Sequence, residues 1–131
     1  VKLPPRRRLV ASARPDPARL GKGCAAAWAD TLGEWALGLL LERAGADPVA
    51  ALRAAASWQD DRVVFLLPGG GAAGEVGFLW RIRATGPAAA SRIAGLLAPL
   101  YARRPEASRP AVSAKGDVVE VSLRAACRPS P

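Results

Sequence analysis

Hydrophobic positions recur along this chain at two spacings, and the switches between them mark its elements. From Leu32 to Leu40, the residues Leu32, Trp35, Ala36, Leu39 and Leu40 repeat at helical spacing, which predicts a helix ending near Gly45 with this stripe turned to the core. Thr31-Leu32-Gly33-Glu34 has the form of a capping box: the Thr31 oxygen accepts from the backbone N–H three residues on, while Glu34 reaches back to the N–H of Thr31. Asp47-Pro48 then offers an N-cap followed by proline in the first turn, so a shorter helix is expected through about Ala56 with Val49, Leu52 and Ala56 inward.

After Ser57 the period changes. Val63 to Leu67 is continuously apolar and rich in β-branched and aromatic residues, as expected of a buried strand, and Pro68-Gly69-Gly70-Gly71 ends it. Val76, Phe78, Trp80 and Ile82 alternate with Gly77, Leu79, Arg81 and Arg83, predicting a second strand with one core face and one partly wet face. A strand on each side makes the triple glycine a hairpin loop; a phosphate cradle needs a helix after it. Gly86-Pro87 opens another helix, with Ala90, Ile93, Ala94, Leu97 and Tyr101 on one face and Pro99 ending its regular part. Ala111 to Ser113 and Val118 to Leu123, joined at Ala114-Lys115-Gly116-Asp117, read as a last hairpin with Val119, Val121 and Leu123 inward. The order ααββαββ, with short connections, predicts an α+β domain: an antiparallel sheet of about four strands with helices packed on one face.

Composition adds limits. The 131 residues, half of them apolar, suit one core, expected over residues 24–131. The longest strongly apolar stretch, Trp35 to Leu41, is too short to cross a bilayer. The chain starts at Val1 and contains no methionine, so it is expected to be a processed piece whose start codon and any signal peptide lie elsewhere.

Charge is uneven. Of the formal +8, a net +6 falls in the first 22 residues, on Lys2, Arg6, Arg7, Arg8, Arg14, Arg19 and Lys22 against Asp16. With Pro4-Pro5 and Pro15-Asp16-Pro17, residues 1–23 are expected to form an extended basic arm, with a short strand at Arg8 to Ser12. Such an arm suits an anionic polymer or surface, or docking on a neighbouring domain. No aromatic residue interleaves the arginines to stack on bases, which disfavours nucleic acid. Cys24 and Cys127 have no partners at metal-ligand spacing; they are read either as one disulfide or as two buried thiols.

The chain has no histidine, so the common zinc sets, imidazole-activated nucleophiles and histidine acid–base catalysis are unavailable within it. Asp60-Asp61 is the only adjacent carboxylate pair outside any such set. Neighbours at a strand entrance point to opposite faces, which is poor for a shared proton or metal. The pair is therefore read as a structural collar with no catalytic role, one carboxylate turning or capping the chain and Arg62 pairing with the other. Of the four tryptophans, Trp35 and Trp80 are assigned to the core and Trp28 and Trp58 to the surface. No metal or cofactor is expected.

The stretches "LPPRRRLV", "LGKGCAAAWADTLGEWALGLLLE", "AAASWQDDRVVFLL" and "FLWRIRAT", with the helix before the last hairpin, resemble the C-terminal part of a family of uncharacterised bacterial exported proteins and lipoproteins. Members of that family are similar to zinc metallopeptidases and carry an HExxH helix upstream. The resemblance covers most of residues 20–125, with Asp30 to Glu34 on the family's helix motif and Trp58, Asp61 and Arg62 on its strand entrance. It departs at Gln59-Asp60, where two glycines are usual, and at Cys24, where tryptophan is usual; the HExxH segment is absent. The resemblance implies an exported, non-catalytic C-terminal domain, marked by Thr31, Glu34, Trp58, Asp61 and Arg62, that packs against the upstream part of its precursor or another chain. The alternative is a stand-alone basic module using Arg6, Arg7, Arg8, Arg14, Arg19 and Lys22.

Overall fold

The computed structural model describes residues 24–68 and 77–123. The basic arm, the glycine-rich loop and Cys127 lie outside them, as does the side chain of Cys24, so the readings of arm and disulfide fall there too. Among the described residues the architecture is α+β: β1 (Cys24–Asp30), α1 (Gly33–Arg43), α2 (Pro48–Ala55), β2 (Trp58–Pro68), β3 (Gly77–Ala84), α3 (Pro87–Leu97), β4 (Ala111–Lys115) and β5 (Val118–Leu123). The five strands form one antiparallel sheet in the order β1-β2-β3-β5-β4.

Strand β1 is the addition to the expected order. Its sequence, CAAAWAD, is alanine-rich, without alternation and poor in β-branched residues, so nothing local marks it as extended. Its conformation comes from pairing: Asp30 lies opposite Val63 and Cys24 opposite Pro68, along the outer edge of β2.

The helices gather on one face of the sheet. Leu37 and Leu41 of α1, Ala51, Ala54 and Ala55 of α2, and Ala90, Ile93 and Leu97 of α3 form a single cluster with Val63, Trp80, Ile82, Ala84, Val119 and Val121. Register explains which strand residues join it, because Val63, Trp80 and Val121 lie side by side on adjacent strands, as do Asp61, Ile82 and Val119. Side chains one position along point to the other face, where Arg81 meets Glu120 directly across the ladder at 3.7 Å.

The last helix and last hairpin follow their local signals. Helix α3 starts at Pro87, stops at Leu97 before Pro99, and continues as a short 3-10 turn, Ala98–Leu100. The β4–β5 hairpin turns on Gly116-Asp117 with φ of +59° at Gly116 and no positive φ at Asp117, the pattern of a type II′ turn.

Both N-terminal helices are rotated relative to expectation. Leu37 and Leu41 are fully buried, whereas Leu32, Trp35 and Leu39 of the expected stripe are exposed. On α2 the alanines Ala51, Ala54 and Ala55 face the core and Val49, Leu52 and Ala56 face out. Helix α1 carries apolar residues on two sides, and Leu37, Leu40 and Leu41 form a second stripe at i, i+3 and i+4. Periodicity does not choose between two such stripes.

Candidate functional site: a buried carboxylate anchor and the groove it positions

Strand β2 opens with a bulge that brings the site's first residues together. Trp58 lies opposite Ala84 and Asp60 opposite Arg83, so Gln59 is inserted as an extra residue between them. In a regular strand, residues three apart point to opposite faces. With the bulge, Trp58 and Asp61 share the helix-side face, and the Trp58 indole Nε1–H donates to Asp61 Oδ1 at 2.8 Å.

The Asp61 side chain is fully buried and accepts four hydrogen bonds. Oδ1 takes the Gly33 backbone N–H at 2.9 Å as well as the Trp58 indole. Oδ2 takes the Leu32 backbone N–H at 2.8 Å and the Trp80 indole N–H at 2.9 Å. Each oxygen thus holds one backbone amide and one indole, and the Thr31 hydroxyl donates to the Asp61 carbonyl oxygen at 3.1 Å. With both oxygens doubly engaged, the carboxylate has no direction left for a metal or a substrate proton.

This arrangement replaces the expected capping box. Leu32 is the N-cap of α1 and has no side-chain cap, while the N–H of Thr31 goes to Asp30 Oδ1 at 2.7 Å. Asp61 supplies from another element what Thr31 and Glu34 were expected to supply locally, an acceptor for the first N–H groups of the helix and a negative charge at its positive end. Gly33 enters the helix at φ +90°, a conformation that aims consecutive N–H groups at one carboxylate and that L side chains rarely adopt.

Among the described residues the expected pairing of Arg62 with a carboxylate also does not form. Arg62 lies opposite Arg81 on the other face of the sheet, and its half-buried side chain makes no ion pair among the described residues. Neutral and backbone N–H donors hold Asp61 instead. Asp60 and Asp61 do point to opposite faces, opposite Arg83 and Ile82, although both are buried. Among the described residues no group of three potential metal ligands assembles, and no helix is long and apolar enough to cross a membrane.

The anchor sets the rotation of α1. Holding the N–H groups of Leu32 and Gly33 against the sheet puts the i+4 row from Gly33, namely Leu37 and Leu41, into the core. Trp35 and Leu39 then turn away from the sheet. Across from them lies α2, and the two helices enclose a groove of about 360 Å³ lined by Glu34, Trp35, Gly38, Leu39, Glu42, Pro48, Ala51, Leu52 and Ala55. Its floor is small: a Cβ added to Gly38 would lie 3.5 Å from the Ala55 Cβ. Its walls are large and wet, with Trp35 79% and Leu52 71% exposed.

The tryptophans sort differently from expectation in two cases, Trp35 and Trp58. Trp80 is buried and Trp28 exposed, but Trp35, assigned to the core, is on the surface, and Trp58 is an anchor donor. Trp28 stacks in a tilted row with Phe65 and Phe78, at centroid distances of 5.2 and 6.2 Å.

No family model matches this chain, and no match was found among the curated proteins or the solved structures.

Proposed function

We propose that this chain is the non-catalytic C-terminal interaction domain of an exported bacterial protein resembling the zinc metallopeptidases, and that it packs through the α1–α2 groove against its upstream part or a partner chain. The observation that carries this reading is the outward placement of Trp35, Leu39 and Leu52 around one groove. Scattered surface leucines are ordinary, but a contiguous apolar wall containing an exposed tryptophan is characteristic of contact surfaces. The chemistry of the rest supports a non-catalytic role: the chain has no histidine, and the most buried carboxylate is fully engaged in holding α1.

The test is the intact mass of the complex purified from the native source without denaturant, followed by denaturing mass analysis of each component. A companion chain bearing an HExxH segment, lost when Trp35→Ser and Leu52→Ser are introduced together, is the expected result. A chain that purifies alone at its own mass overturns the reading.

A further inference from the structure

We infer that the α1–α2 groove selects an apolar polypeptide segment that carries basic residues at its two ends. The inference rests on the reading of this groove as an interface and adds the chemistry of the occupant. Although lysine and arginine outnumber aspartate and glutamate 19 to 11 in the chain, the two ionisable side chains lining the groove are both carboxylates, Glu34 and Glu42. They stand eight residues apart on α1, roughly 12 Å along its axis, one toward each end of the apolar wall formed by Trp35 and Leu39. Two basic residues separated by two helical turns, or by about four residues of extended chain, match that span.

The floor of Gly38, Ala51 and Ala55 admits a close backbone or an aliphatic side chain, while Trp35 and Leu52 cover it from the sides. A second copy docking groove to groove would set Glu34 and Glu42 of one molecule against the same residues of the other, a like-charge contact in a self-complementary interface. An acidic segment meets the same repulsion. The overall charge of +8 acts in the opposite sense, drawing acidic ligands to the molecule at long range, so a preference for a basic segment has to come from the groove itself.

The test uses the full chain and two synthetic amphipathic helical peptides with the same leucine stripe, one with lysines flanking the stripe and one with glutamates, followed by fluorescence anisotropy at 0.15 M salt, roughly the physiological ionic strength. The lysine peptide is expected to bind about tenfold more tightly than the glutamate peptide, the size of two exposed charge pairs changing sign. The variant with Glu34→Gln and Glu42→Gln loses most of that preference, and the variant with Trp35→Ser and Leu52→Ser binds neither peptide. If the glutamate peptide binds as tightly or more tightly, yet Trp35→Ser with Leu52→Ser abolishes binding, the charge selection is wrong and the interface stands. If the serine variant leaves peptide binding unchanged, or if neither peptide binds, both readings fall. Sedimentation showing a dimer that Trp35→Ser dissociates would make the occupant a second copy and overturn the inference.

Discussion

Replacing Asp61 by asparagine keeps the shape of the side chain and removes its ability to accept four hydrogen bonds. Each carboxylate oxygen holds one backbone amide and one indole, so whichever way the new amide is turned, its NH2 group faces two N–H donors. Two buried hydrogen bonds to a charged acceptor are lost, at about 1.5–3 kcal/mol each, and the other two become weaker neutral bonds. Relief from burying a charge offsets part of this. The expected destabilisation is about 3–5 kcal/mol, a large share of the ~5–15 kcal/mol that holds a typical domain folded. Equilibrium urea unfolding followed by tryptophan fluorescence and by far-UV circular dichroism measures it.

A double-mutant cycle with Trp58→Phe sharpens the test. Trp58→Phe alone removes one donor from a carboxylate that keeps three and is expected to cost about 1–3 kcal/mol. In the Asp61→Asn background the bond that this change removes is already lost when the amide NH2 faces Trp58, and is a weaker neutral bond when the amide oxygen does, so in either orientation it costs less, by about 0.5 kcal/mol or more. Strictly additive effects, or an Asp61→Asn cost below about 1 kcal/mol, would refute the claim that this carboxylate anchors α1. If Asp61→Asn does not fold, Trp58→Phe and Trp80→Phe singly and together still report coupling through the shared carboxylate.

Other outcomes follow from the same geometry. Leu37→Ala is expected to cost about 2–5 kcal/mol in urea unfolding, while Trp35→Ser and Leu52→Ser each stay within about 0.5 kcal/mol; the reverse ranking would restore the helix rotation expected from periodicity. Gly33→Ala should lower stability by about 1–2 kcal/mol through backbone conformation alone, since an added Cβ meets nothing within 4 Å, and Gly86→Ala, where φ is extended, should cost less. Burial raises the pKa of Tyr101 above the ordinary tyrosine value of 10.0, against a smaller lowering by Arg104. Its contribution to stability is therefore fully present below about pH 10 and declines as pH rises through the folded-state pKa, because the unfolded chain gives up the proton first. Alkaline unfolding compared between the parent chain and Tyr101→Phe checks the sign: the difference between them should shrink in the stated direction only above pH 10.

The sheet was largely legible in the chain because strand patterns of period two are read against one neighbour at a time. Phe78, Trp80 and Ile82 alternate with Leu79, Arg81 and Arg83, and this register buries Trp80 and Ile82 under the helices while Arg81 and Arg83 stay half-buried on the other face, beside the buried Leu79. The termination of α3 before Pro99 and the turn at Gly116-Asp117 were equally local, since proline and glycine restrict their own backbone wherever they stand. Strand β1 was not legible: its run of alanines says nothing until the edge of β2 is there to pair with it.

The candidate site divides along the same line. By itself the sequence determined that histidine chemistry is absent, that Asp60 and Asp61 face opposite ways, and that an apolar helix follows Thr31. Only the tertiary structure decided what those residues do. The bulge at Gln59 returns Trp58 to the face of Asp61, and that carboxylate, 29 and 28 positions from Leu32 and Gly33, captures the start of α1 in place of the local box. A helix with two apolar stripes has two rotations of similar hydrophobic gain, and the choice rests on a few directional hydrogen bonds made from outside it. Those bonds bury Leu37 and Leu41 and leave Trp35 and Leu39 to form, with Leu52, the groove through which the domain is proposed to bind.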